Sequence, residues 1–310
     1  DMLIGCAAAD ETNLVACKIA HDLFSVSTTI ARLRSPEFAA DSRLMATSGF
    51  AVQEVICPEA SVTAMVSKLI DYPQALQVLE FAQGLVSLIV VRAAAGVLLT
   101  QRRLGEIPVL APGLSLRIVA LYRQGAMLPA LDGETRIEPG DEVFVLASTA
   151  QIREVLAAMH PAGARPVRRV MVAGGGNVGL RLARELQDRF QVKLIELDRA
   201  RCDYMATQLS SQTLVLNGDC TDEGLLEDEN VRETDLFAAL TNDDEDNIMS
   251  CLLAKRMGAK RVLALINRKT YANLVQGTQI DIAISPSQAV IGELLAHVRR
   301  GDIEAVHSLR

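Results

Sequence analysis

The run Gly174, Gly175, Gly176, Asn177, Val178, Gly179 has the residue types and spacing to grip a phosphate. Its glycines at 174, 176 and 179 match the G-x-G-x-x-G dinucleotide fingerprint. Gly174 permits a tight turn out of a strand. Gly176 lets the backbone approach a pyrophosphate, and Gly179 lets a helix pack close to the sheet. The free N–H groups of Asn177, Val178 and Gly179 open that helix, where unpaired donors and the positive dipole end favour an anion. Glu196 follows 20 residues after Gly176. Its carboxylate can accept from ribose hydroxyls and would repel a 2′-phosphate, which favours NAD(H) over NADP. A second reading stays open: a unit that keeps its glycines for packing and holds no ligand.

These residues need strands to place them. Val170 to Ala173 reads as a strand entering the glycine turn. Leu180, Leu182, Ala183 and Leu186 form the apolar stripe of a helix, and Val192 to Glu196 reads as the next strand. In a parallel open sheet the ligand lies at the carboxyl ends of the strands. Gly218, Asp219, Cys220 and Thr221 end a third strand, and Thr241 and Asn242 a fourth. Asp219 could accept from an adenine amino group; local capping explains Asp219 and Thr221 equally. Thr241 and Asn242 are placed to touch a pyrophosphate or a ribose, or else form an ordinary turn. The acids Asp243 to Asp246 suit the first turn of a helix through its dipole. A divalent-cation site is the sharper alternative, to which the spacing does not commit.

Composition narrows the function. Half of the 310 residues are apolar, and the net charge of −7 argues against a nucleic-acid binder. Cys6, Cys17, Cys57, Cys202, Cys220 and Cys251 form no CxxC pair and read as free thiols. The most apolar run, Leu85 to Leu99, is about 15 residues and contains Arg92, short of the ~20 a spanning helix needs. His21, His160, His297 and His307 are scattered. No Ser-His-Asp arrangement, HExxH motif or hydride-transfer acid or base stands out, which argues against one alternative, an NAD-dependent oxidoreductase.

The chain repeats itself. Asp1 to Asn13 lines up with Asp235 to Asn247, Cys17 falls on Cys251, and Ile56-Cys57-Pro58 on Ile284-Ser285-Pro286. Such a long period means two copies of one domain rather than a solenoid. Comparison with the second copy leads one to expect roughly 65 residues of the first domain upstream of Asp1. Between the copies, strands are expected at 86–91, 115–122 and 142–147. A short helix is expected at 98–104 and another at 150–159. Gln124-Gly125 suits a hairpin turn, and Glu138 to Asp141 a further turn. Residues 161–166 have linker composition.

Asp10-Glu-Thr-Asn13, Arg32-Leu-Arg-Ser-Pro36, Tyr72 to Gln77, Leu240 to Glu245, Asn247 to Ser250, Leu253 to Ala259 and Asp281 to Pro286 together resemble the RCK (KTN) family, which regulates potassium channels and transporters. The resemblance implies an α/β fold of tandem Rossmann-like (N-type) domains with an intervening small α+β (C-type) domain. The expected division is a truncated N-type domain at 1–83, a C-type domain at 84–160 and a second N-type domain at 166–310, whose C-type partner would begin beyond Arg310. It implies a non-enzymatic, peripheral subunit on the cytoplasmic side of the inner membrane. That subunit would bind NAD(H), with ATP or ADP as alternative occupants, assemble as a homo-oligomeric ring, and act on a Trk-type potassium-transporting membrane subunit. By position, the first copy would contribute Ala7, Ala8 and Arg32 to nucleotide contacts, although Ala7 and Ala8 depart from the family's usual Thr and Asn. Arg32 could pair with a phosphate, or be a solvated strand-end charge. Arg268 occupies a similar region of the second copy with imperfect alignment.

Overall fold

The computed structural model describes residues 1–35, 38, 41–160, 166–275 and 279–298, so most of the 161–166 linker, Pro36 and His307 lie outside it. Met2–Gly5 (β1), Thr28–Arg32 (β2) and Glu54–Ile56 (β3) form a parallel sheet in that order. The helix Asp10–Phe24 crosses between β1 and β2. It buries Leu14, Cys17 and Ala20, of which Leu14 and Cys17 pack with Ala31 and Leu33. It stops at Ser25, whose φ of 51° is left-handed.

Ala75–Phe81 (β4), Val86–Arg92 (β5), Leu116–Arg123 (β6), Ala126–Met127 (β7) and Glu142–Ser148 (β8) make an antiparallel sheet in the order 4-5-8-6-7. The β6–β7 turn places Gln124 and Gly125 at φ 52° and 80°, the left-handed pair that a type I′ hairpin requires. The short helix expected at 98–104 is absent. That segment bonds to another one instead: Gln101 N–H donates to Ile137 O, Ile137 N–H to Arg102 O, and Leu104 N–H to Thr135 O. These pairings take the donors a helical turn would use internally. β4, which the sequence pattern did not reveal, precedes residue 84 and pairs with β5.

Arg169–Ala173 (β9), Gln191–Glu196 (β10), Leu214–Asn217 (β11), Leu236–Ala239 (β12), Arg261–Leu265 (β13) and Ile282–Ile284 (β14) form the third sheet. Its order is 11-10-9-12-13-14 and every pair is parallel. This is the doubly wound order, which reverses between β9 and β12 and opens a crevice at their carboxyl ends. Val170 to Ala173 and Leu236 to Ala239 are buried throughout, as strands covered on both faces must be. Leu180, Leu182, Ala183 and Leu186 bury the helix Asn177–Leu186 against the sheet; each full-size apolar side chain contributes about 1.5–3 kcal/mol.

The internal repeat holds at the level of single hydrogen bonds. Cys17 donates to Ile30 O, as Cys251 does to Leu263 O. Leu33 N–H donates to Ile56 O at 2.9 Å, and Ile266 N–H to Ile284 O at 2.8 Å. The strands β1, β2 and β3 thus stand as β12, β13 and β14 do. The two copies meet through equivalent helices, both with proline in the first turn. Pro58–Asp71 packs on Pro286–Val298 and also on Asn177–Leu186. Val62, Val66, Leu69 and Ile70 belong to the same apolar cluster as Leu180 and Leu186. Asp71 pairs with Arg189 across this junction.

Candidate functional site

The glycine loop is built from unequal glycines. Gly174 has φ 99°, and a Cβ there would lie 2.9 Å from Thr241 N and 3.0 Å from Leu240 O. A Cβ on Gly179 would run into the Gly174 carbonyl. Both are therefore required by packing. Gly176, the N-cap of the helix, has nothing within 4 Å of where a Cβ would stand, and is exposed. That open cradle is where a backbone can meet a pyrophosphate. Gly175 is buried, its space taken by Met205.

Glu196 does not stand free at its strand end. Its Oε2 accepts the Gly175 N–H at 2.7 Å and its Oε1 the Asp198 N–H at 2.9 Å. It ties the second strand to the loop, and a ribose would share this carboxylate with two backbone donors. Glu196 lines a cavity of about 220 Å³ together with Gly174, Gly176, Asp219, Cys220, Thr241, Asn242 and Asp246. Asp219 Oδ1 caps the Thr221 N–H and hydroxyl, and these bonds hold its carboxyl below the usual range. Burial pushes the Cys220 thiol up to about 11. Burial and the nearby charges of Asp243, Asp219 and Glu245 raise Asp246. This end of the site is acidic.

The other end is basic. A cleft of about 750 Å³ opens between the two copies, lined by Gly176, Asn177, Val178, Thr241 and Asn242 from the second and by Arg32 and Arg34 from the first. Arg201, which the sequence reading missed, lines it too. Arg32 donates to Ala7 O at 2.9 Å, and Arg34 Nε lies 3.6 Å from Glu59.

Several expected site residues fall elsewhere. Arg268 pairs with Glu245 at 2.9 Å and with the Tyr271 hydroxyl, and lines neither cavity; Asn267 takes the place beside the cleft. Ala7 and Ala8 also line neither; both backbone groups of Ala7 are engaged by Asn13. The acids of 243–246 divide their work. Asp243 caps the helix through the Asp246 N–H. Asp244 accepts the N–H groups of Asn267 and Arg268, and Glu245 holds Arg268. Among the described residues no cluster suits a metal ion.

The staples behind this geometry were also missed. Asn247, fully buried, accepts the Thr241 N–H and hydroxyl and donates to Thr241 O and Leu265 O. Asn13 does the same for Ala7 and Arg32 O. Asp10 accepts the N–H groups of Arg34 and Ser35, as Asp244 does in the other copy. The repeated Asp-x-x-Asn was the available signal: two polar residues one helical turn apart, on a helix packed against a sheet, need partners.

A six-stranded doubly wound unit with a phosphate-type glycine loop, joined to a small antiparallel unit, defines the class. Residues 170–286 match the TrkA-N domain and 88–160 the TrkA-C domain. The chain is 48% identical over 311 residues to the Trk system potassium uptake protein TrkA of Halomonas elongata, and 45% identical to that of Vibrio alginolyticus. Each comparison covers all of this chain and 67% of the relative. A solved structure described as the GsuK channel bound to NAD superposes with a TM-score of 0.62 at 16% identity. That match covers 92% of this chain and 49% of the channel, so this chain spans about half of it, and the likeness concerns fold. The chain belongs to the TrkA family of Trk-system potassium uptake proteins.

Proposed function

We propose that the protein is a nucleotide-sensing regulatory subunit of a potassium uptake system, peripheral to the membrane and acting on a Trk-type potassium-transporting membrane subunit. The observation that carries this is a pair of adjoining cavities of opposite charge that share Gly176, Thr241 and Asn242. Glu196, Asp219 and Asp246 face the adenosine end; Arg32, Arg34, Arg201 and the helix start at Asn177 face the phosphate end. NAD(H) is the occupant favoured by Glu196, with ATP or ADP suited to the basic cleft. Gly174 to Gly179, Glu196, Asp219, Cys220, Thr241 and Asn242 form or brace the site.

The cleft also supplies the coupling. Its phosphate end is shared by both copies, so an occupant draws Arg32 and Arg34 toward the glycine loop and changes the angle between the copies. In a ring of such subunits that angle would be passed to the pore. A ligand that binds one ring shape 100-fold better than the other supplies about 2.7 kcal/mol of bias. Among the described residues no helix is long and apolar enough to cross a membrane.

The test is potassium flux through the full complex, comparing wild type with Gly176→Asp and Glu196→Ala. Both variants should lose the response of flux to nucleotide. Unchanged flux with an unchanged nucleotide response would overturn the reading.

A further inference from the structure

Arg201 sits in the third position of the helix Arg199–Gln208, just past the strand that ends in Glu196. Its backbone N–H is fixed by the Asp198 carboxylate at 2.8 Å, so the start of the helix is rigidly placed. Its side chain turns back toward the glycine loop. Nε donates to the Gly175 carbonyl at 2.8 Å, and the guanidinium carbon lies 5.1 Å from the centre of the Tyr204 ring. Among the described residues no carboxylate comes within ion-pair distance of it, whereas Arg32's neighbour Arg34 faces Glu59. A guanidinium carries five donors, and the bond to Gly175 uses one of them.

The same arginine lines the cleft beside Gly176, Asn177 and Val178. A cation without a counter-ion and the open N–H groups of a helix start therefore face one space. Planar guanidinium donors and helix N-termini are the two groups best suited to a phosphate. Gly175 is meanwhile held through both of its backbone groups: Glu196 accepts its N–H and Arg201 donates to its carbonyl. One residue thus links the acid that would meet the ribose to the cation that would meet the phosphate.

We propose that Arg201 binds the phosphate of the nucleotide while positioning the glycine loop through Gly175, so that phosphate and ribose recognition are read by one connected unit. This rests on the nucleotide reading above. Nε keeps the loop carbonyl, and the terminal nitrogens take the phosphate oxygens. Adenosine, which lacks a phosphate, gains nothing from this residue. ADP and NADH gain a charge-assisted pair.

The experiment is calorimetric titration of the full chain with adenosine, ADP and NADH, in wild type, Arg201→Gln and Arg201→Lys, with thermal melting of each variant. Glutamine can still donate to the Gly175 carbonyl but carries no charge. It should weaken ADP and NADH by about ten- to a hundredfold, the range of a charge-assisted hydrogen bond, and leave adenosine within about twofold. Lysine keeps the charge without the planar fork and should fall between. Unchanged ADP affinity in Arg201→Gln overturns the proposal, and so does an equal loss for adenosine, which would mark Arg201 as a prop for the fold alone. Should the glutamine variant fail to melt cooperatively, the lysine variant decides: a wild-type ratio of ADP to adenosine affinity overturns the proposal, and a reduced ratio supports it. Wild type that binds neither ADP nor NADH would instead remove the nucleotide reading itself.

Discussion

Gly176 and Gly179 present the same hydrogen to their surroundings for opposite reasons. At Gly179 an added methyl meets the Gly174 carbonyl, whereas at Gly176 it meets open space. Gly179→Ala should therefore cost at least about 2 kcal/mol, because neither backbone can yield. Gly176→Ala should change stability by no more than about 0.5 kcal/mol, yet weaken NADH binding about tenfold or more by filling the cradle. Denaturant titration and calorimetry on the two variants separate these outcomes; a Gly176→Ala protein that binds NADH normally would show the cradle to be unused. Cys220 makes a second residue-scale prediction. Its folded value is raised from 9.0 to about 11. The stability that comes from keeping the thiol neutral is thus fully present below pH 9 and is lost as pH rises toward 11. Melting of wild type should fall more steeply across that window than melting of Cys220→Ala. At neutral pH, alkylation read by mass spectrometry should reach exposed Cys6 well before buried Cys220 and Cys251.

Among the elements, the helices that begin at Asp10 and Asp244 do more than cover a sheet. Each carries an acid and an asparagine that reach the loops at the ends of neighbouring strands. Asn247→Ala leaves the buried Leu265 carbonyl and two half-buried backbone groups of Thr241 without this partner and should cost about 2–4 kcal/mol. Nucleotide affinity should drop further than this loss explains, since Thr241 lines both cavities. Equal NADH affinity in a folded Asn247→Ala protein would count against Thr241 as a contact. The glycine turn, its helix and β10 were legible because spacing, apolar stripe and strand pattern agreed locally. The 98–104 segment misled because its apolar spacing suits a helix, while its backbone partners lie some thirty residues further on, at Thr135 and Ile137. β4 escaped notice because its pairing with β5, not its own pattern, makes it a strand.

At the scale of the whole molecule, the two copies are joined where the cleft lies. The helix Pro58–Asp71 belongs to the first copy by sequence and to the second by packing. If an occupant is gripped from both sides, NADH should slow amide hydrogen exchange around Arg32 and Arg34 and along Pro58–Asp71, as well as in the glycine loop. Protection confined to residues 170–245 would show that the first copy takes no part in holding the ligand.

The sequence alone determined the repeat, the glycine fingerprint and the acid at position 196, because these depend on residue type at fixed spacing along one stretch of backbone. It also carried the family, since so many short motifs agree in order. Only the tertiary structure decided that Glu196 is already bonded to the loop, that Arg201 shares that loop, and that Arg268 turns away to Glu245 while Arg34 joins Arg32 along the cleft. Those outcomes depend on which side chains the packing of separate elements brings within about 3 Å, the reach of a hydrogen bond, and no local pattern records that choice.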